Sequence, residues 1–299
     1  MTGFENRRTM HTKSHIRGMI LFLALMSLVS GCSSVFFYPS REMRKNPFIS
    51  QFDHQDVYFE TKDGITLNGW FFKAQEPAGS ILVLHGNAEN ISTHVNGFLW
   101  LVASGFNVFI FDYRGYGRSE GDPSLRGIQL DAEAALGKLL TLPSVDRNRI
   151  ALFGQSLGGT AAVNLAAAAP GKGLVKALII DSAFASHRII AREKIENLCF
   201  WPFPDLLSPF FSSSYSPIKR IADIAPAPVL ILHGLHDSIV PVNHSSLLFA
   251  AASAPKELWL TTGEGHIRST ADLAVRERLK AWLLERFEAP EERGAPDRK

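Results

Sequence analysis

Six short blocks of continuously apolar residues punctuate the chain: "SILVLHG" (80–86), "FNVFIFDY" (106–113), "RIALFG" (149–154), "KALIID" (176–181), "APVLILHG" (227–234) and "ELWLT" (257–261). Apolar runs of this length without alternation predict strands covered on both faces, the pattern of a parallel sheet. Ahead of them, "DVYFETKDGITLNGWFFKA" (56–74) alternates apolar and polar positions around Asp63-Gly64, which predicts a β-hairpin. Between the blocks lie amphipathic stretches at roughly 90–104, 124–140, 157–169, 243–253 and 271–287, predicted as helices with Asn90, Ser124 and Asn243 as N-caps for three of them. Strand–helix alternation over this span predicts a mostly parallel, doubly wound α/β sheet opened by an antiparallel hairpin.

Two regions break the pattern. About 45 residues separate "KALIID" from "APVLILHG", a connection long enough to suggest a functional lid. Phe200, Trp201, Phe203, Phe210 and Phe211 make it aromatic, so 184–226 is expected either as a small cap over a site or as an excursion whose aromatics pack on the domain. At the N-terminus, Arg7, Arg8, Lys13 and Arg17 precede the apolar run "MILFLALMSLV", and Ser30 and Gly31 lead into Cys32. This is the anatomy of an export signal. "LVSGC" resembles the lipobox of bacterial lipoproteins, which implies cleavage before Cys32 and acylation of that cysteine. The alternative is an uncleaved anchor helix, but the uninterrupted apolar run is shorter than the roughly 20 residues that span a bilayer.

Composition and charge change the picture only slightly. Of 299 residues, 46% are hydrophobic and 20% charged, enough for one large domain with a substantial core. The formal charge is +2, and without residues 1–31 the chain holds 27 Lys+Arg against 28 Asp+Glu, so no nucleic-acid partner is expected. Acylation of Cys32 would leave Cys199 alone, and a single cysteine forms no internal disulfide. The expected organisation is a signal peptide over 1–31, a linker over 32–54, one catalytic domain over 55–288 and a disordered tail over 289–299.

Chemistry concentrates in "FGQSLGG" (153–159). Gly154-Gln155-Ser156-Leu157-Gly158 fits G-x-S-x-G between a predicted buried strand and a predicted small-residue helix, the context of a nucleophile elbow. Glycines are needed there because side chains would collide with the neighbouring strand or helix. A serine nucleophile needs a base and an orienting acid, in this arrangement in the chain order Ser, acid, His. Asp237 in "HGLHDSIVP" follows a strand, and His266 in "GEGH" lies in a glycine-rich loop before the last helix. Asp181 competes as the acid, since it too ends a strand; chain order and position favour Asp237. His244 also follows Asp237, but it falls at a helix start only seven residues later. The oxyanion donors are expected to be the N–H of Leu157 and one from "HGNAEN", with Asn87 preferred to Ala88. "DYRGYGRSEG" (112–121) lacks the glycine spacing of a dinucleotide site, and no metal-ligand motif such as H-E-x-x-H occurs, so no cofactor or metal is expected.

In the order "LVLHGNAEN", "FDYRGYGRSEG", "LFGQSLGG", "LHGLHDSIVP" and "GEGH", these segments resemble the α/β-hydrolase superfamily. More narrowly, they are similar to its depalmitoylase-like and serine-aminopeptidase-like branch. The resemblance spans about residues 55–287 and implies that fold, with Ser156, Asp237 and His266 acting on a carboxylic ester, thioester or amide. The expected protein is a lipid-anchored envelope hydrolase, with an outer-membrane destination mildly favoured by resemblance because no Asp follows Cys32. Its alternatives are a peptidase of the same fold and a catalytically silent binding lipoprotein.

Overall fold

A computed structural model describes residues 37–168, 171–198, 205 and 213–288. The expected signal peptide with Cys32, the tail over 289–299, Cys199 and the aromatic residues Phe200, Trp201, Phe203, Phe210 and Phe211 lie outside the described residues.

Ten strands are described: β1 (Tyr38–Pro39), β2 (His54–Glu60), β3 (Thr66–Phe72), β4 (Gly79–Leu84), β5 (Ala88–Glu89), β6 (Phe106–Phe111), β7 (Ile150–Gln155), β8 (Val175–Asp181), β9 (Val229–His236) and β10 (Lys256–Glu264). Eight of them form one sheet in the order β10-β9-β8-β7-β4-β6-β3-β2. All neighbours are parallel except β2–β3 and β3–β6, so the predicted hairpin forms one antiparallel edge. The Asp63-Gly64 turn works as read: Gly64 has φ +79°, a conformation that suits a residue without Cβ.

Apolar continuity in the central strands reflects burial on both faces. Ile81, Val83, Val108, Ile110, Ala151 and Phe153 share one core with α1 (Ile91–His94), α2 (Leu99–Ala103) and α7 (Leu273–Glu288). The alternate residues Leu82, Leu84, Phe109, Phe111 and Leu152 are equally buried. Of the helices α3 (Leu125–Leu139) and α4 (Leu157–Ala167), both pack on β4, and α4 also lies along β7 and β8. Packing is close at the base of the sheet, where a Cβ on Gly79 would overlap the Phe287 ring.

Three expectations change. The segment 90–104 is not one helix but α1, a 3-10 turn over Val95–Gly97, and α2. Thr93, Val95, Asn96 and Gly97 are weak helix formers, and Gly97 ends the continuity. Asn90 and Ser124 do cap, accepting from Ser92 N–H and Gly127 N–H, but Asn243 does not. The helix α6 (Asn243–Ala251) follows a turn already closed by His244 N–H to Pro241 O and Ser245 N–H to Val242 O, both 3.1 Å, so Asn243 is its first helical residue. Finally, the expected linker is folded from Phe37 onward. β1 pairs in parallel with β5, Arg44 N–H donates to Ser92 Oγ at 2.9 Å, and Ile49 enters the core. Within the expected cap, α5 (His187–Leu198) is described, as are 3-10 turns over Pro217–Lys219 and Ile221–Ile224.

Candidate active site

Ser156 stands in the turn from β7 to α4 with φ +53° and ψ −115°. Such a backbone costs on the order of 1–3 kcal/mol and persists only where its surroundings enforce it. The surroundings are the glycines of the motif. A Cβ on Gly154 would lie 2.5 Å from Gly158 O, and one on Gly159 would lie 2.7 Å from the Ala183 Cβ. A Cβ on Gly158 would overlap the carbonyl oxygens of Leu84 and His85, so any side chain there would push α4 away from the end of β4. Ser156 N–H donates to Asp181 O at 2.9 Å, tying the turn to the adjacent strand.

Strain marks the same place elsewhere. Among the described residues, four non-glycine residues have positive φ: Glu89 (+64°), Ser156 (+53°), Ser182 (+56°) and Ile267 (+54°). They belong to the loop after β4, the serine turn, the position after Asp181, and the position after His266. A β-branched residue such as Ile267 is a genuine outlier there, so the loop carrying His266 is held by force. Its restraints are visible: Ile267 N–H donates to Ser182 Oγ at 3.2 Å, and Gln155 Nε2–H donates to Ile267 O at 3.4 Å. Hydrogen bonds thus run from the residue before Ser156 to the residue after His266.

The structure brings His266 and Asp237 together, with Nδ1 2.7 Å from Oδ2. Oδ1 of Asp237 accepts the N–H groups of Ile239 at 2.8 Å and Val240 at 2.9 Å. Burial works to raise the carboxyl pKa of Asp237, but hydrogen bonds from His233, His266 and the Val240 backbone overcome it and hold the pKa well below the usual carboxylate range. An ionised Oδ2 can only accept, so His266 Nδ1 carries the hydrogen in this bond. In the neutral imidazole that leaves the lone pair on Nε2, the arrangement a general base requires.

The competitors take other roles. Asp181 is fully buried and accepts from Ser269 Oγ at 2.6 Å and Ser182 Oγ at 3.2 Å. It makes no hydrogen bond to His266. His244 is buried with Nδ1 accepting Ala185 N–H at 3.0 Å and Nε2 2.8 Å from Glu193, so it joins α5 to α6. His233 is a residue that chain order passes over. Its Nε2 lies 2.9 Å from Val240 O and 3.5 Å from Asp237 Oδ2, behind the carboxylate. The only signal in the sequence is its spacing, four residues before Asp237.

Leu157 is the first residue of α4, where N–H groups have no partner within the helix and the helix dipole favours negative charge. Asn87 lies in the loop that leaves β4, beside the carbonyls against which Gly158 packs. Leu235 and Ile239, on either side of Asp237, are 44% and 49% exposed, giving this rim an apolar character.

The chain is similar to known proteins. The family model described as serine aminopeptidase, S33, matches residues 75–215. The uncharacterized protein YfhR of Escherichia coli K12 is 35% identical over 258 residues, covering 83% of this chain and 86% of its own. The α/β-hydrolase domain-containing protein WAV2 of Arabidopsis thaliana is 37% identical over 210 residues, 67% of each chain. Among solved structures, an esterase of Pyrococcus furiosus superposes with a TM-score of 0.66 at 22% identity, covering 84% of this chain and 97% of that one. At that identity the superposition speaks to the fold; the sequence relatives speak to descent. With the sheet order, the strained serine turn and these relatives in hand, the chain belongs to the α/β-hydrolase superfamily and is a hydrolase.

Proposed function

We propose that the protein is a serine hydrolase that cleaves carboxylic esters or thioesters through an acyl-enzyme on Ser156. Ser156 Oγ attacks the acyl carbonyl as its proton passes to His266 Nε2, and Asp237 holds the imidazole and stabilises the imidazolium. Leu157 and Asn87 N–H groups face the developing oxyanion. The imidazolium returns its proton to the leaving alkoxide or thiolate. Water, deprotonated by His266, then opens the acyl-enzyme and releases the acid and Ser156. The observation that carries the reading is the 2.7 Å bond from His266 to an ionised Asp237, in a loop hydrogen-bonded to the residue preceding Ser156. The esterase named among the structural neighbours and the exposed Leu235 and Ile239 support an ester with an apolar acyl group.

The description of the matching family model favours a second reading, an aminopeptidase. Rates on a 4-nitrophenyl ester, an acyl thioester and an aminoacyl 4-nitroanilide separate the two. Ester or thioester turnover should exceed the anilide, and Ser156→Ala should lower it by roughly 10⁵–10⁶-fold. Preference for the anilide would replace the esterase reading with the peptidase one. Lower rates on long acyl chains when Phe210 and Phe211 become alanine would support a cap over the acyl group; unchanged chain-length preference would remove it.

Membrane attachment is part of the proposal. Acylation at Cys32 would tether the hydrolase domain to the cell envelope, and Cys32→Ser should move the protein from the membrane fraction to the soluble one. Retention of the variant in membranes would instead favour the uncleaved anchor.

A further inference from the structure

The "DYRGYGRSEG" segment takes no part in the chemistry above, yet it grips the loop that leaves β4 at successive points. Asp112 Oδ1 accepts Ile91 N–H at 2.9 Å, and Tyr113 OH donates to His85 O at 3.1 Å. Tyr116 OH lies 2.7 Å from Asn87 O and 2.9 Å from Asn87 Oδ1. The segment itself is anchored by Arg114, which reaches Asp131 at 2.9 Å and Asp63 at 2.8 Å. Gly117 beside it must lack a side chain, because its φ is +47° and a Cβ there would collide with Asp112 Oδ2.

Residues 38–46 hold the same loop from its other side. Tyr38 and Pro39 pair with Ala88 and Glu89, Tyr38 N–H points to Asn87 Oδ1 at 3.4 Å, and Asn90 Nδ2 donates to Ser40 O and Glu42 O at 2.9 and 2.8 Å. The peptide joining Gly86 to Asn87 is also fixed, since Gly86 O accepts from His85 Nδ1 at 2.7 Å. In a trans peptide the N–H points opposite to the C=O, so this bond sets the aim of Asn87 N–H.

We infer that Tyr116 is a positioning residue for the oxyanion loop: it fixes residue 87 so that its N–H meets the oxygen of the tetrahedral intermediate. The inference rests on the serine-hydrolase reading and on Asn87 as a donor. Its physical basis is that an oxyanion hole works by preorganisation: His85 fixes the peptide before residue 87, and the Tyr116 hydroxyl fixes residue 87 at its carbonyl and side-chain oxygens, so that the residue carrying the N–H is held from both sides. The ring of Tyr116 is fully buried against His85 and Tyr113, at centroid distances of 5.4 and 5.8 Å, so phenylalanine can replace it without a cavity.

The test uses Tyr116→Phe in the full chain, with the exposed Tyr58→Phe as control. Two ligands report on the hole: an alkyl trifluoromethyl ketone, whose adduct with Ser156 carries an oxyanion, and the alcohol product, which carries none. Tyr116→Phe should lower kcat about 10- to 100-fold, short of the ~10²–10³-fold typical of deleting a donor outright. KM and alcohol affinity should stay within about twofold while ketone affinity falls by the factor seen in kcat. Wild-type kcat in Tyr116→Phe overturns the inference, as does an equal loss of alcohol and ketone affinity. Should that variant not fold, Tyr116→His keeps a buried ring but cannot place a hydroxyl on the Asn87 carbonyl. It should lower kcat and ketone affinity together, and no change overturns the inference. Retained activity in Ser156→Ala would instead defeat the serine-hydrolase reading, so the two failures are distinguishable.

Discussion

Two aspartates stand at the ends of neighbouring strands, and their surroundings drive them apart. Asp181 closes β8 and receives only uncharged donors, Ser269, Ser182 and Gln155; complete burial pushes its carboxyl pKa up. Asp237 follows β9, where burial also opposes its charge, but two histidine rings and the Val240 backbone N–H outweigh that penalty and hold its pKa down. Position at a strand end does not by itself make an orienting acid. The number and kind of donors decide which way each carboxyl pKa moves and which carboxylate can hold an imidazole.

The largest expected effect separates the pair in catalysis. Asp237→Asn should lower kcat by about 10⁴-fold, because an amide in that place can donate to Nδ1 and favour the wrong tautomer. Asp181→Asn should lower it less than about tenfold, because the imidazole bonds to Asp237 and not to Asp181. Steady-state kinetics on one ester compares them, and equal losses would erase the distinction. Stability should run the other way: Asp181→Ala strands the Ser269 hydroxyl and costs about 1–3 kcal/mol. Calorimetry would read this as a Tm drop of roughly 2–4 °C per kcal/mol.

Acid titration sharpens the contrast further. Asp237 has a lowered folded pKa, so its stabilisation is present above the unfolded value near 3.8 and is lost as pH falls through the folded pKa. Asp181 has a raised one, so its penalty is absent well below 3.8, grows as pH rises past it, and levels off above the folded pKa. In urea unfolding across pH, Asp237→Asn should flatten the acid limb, while Asp181→Asn should remove a loss of stability on the rising side. Parallel curves for the two variants would contradict the opposed shifts. The smallest effect on kcat is expected from His233→Gln, within about fivefold, because His266 and the Ile239 and Val240 N–H groups still hold the Asp237 carboxylate.

Much of the fold was legible because continuous apolar strands and an Asp-Gly turn are local signals. The eight-stranded sheet follows from them, and the caps at Asn90 and Ser124 from the residue type that opens each helix. The strap over 38–46 was not legible: it is polar, has no period, and is held by a two-residue pairing and side-chain bonds to residues about 50 positions away. The candidate site divides in the same way. Ser156 is announced by its glycines, whose missing Cβ atoms the packing requires, and His266 and Asp237 by chain order. The polar groups behind them, His233, Gln155, Ser182 and Ser269, are ordinary residues in the sequence. Only the close approach of separate loops gives them a purpose.

The central claim is that Ser156 is the nucleophile and that His266 activates it. A fluorophosphonate probe, which reacts with an activated serine, tests it on the full chain when followed by peptide mapping. The account predicts a single adduct on Ser156, absent from Ser156→Ala and strongly slowed in His266→Ala. An unlabelled wild type, or labelling that survives Ser156→Ala, would contradict it.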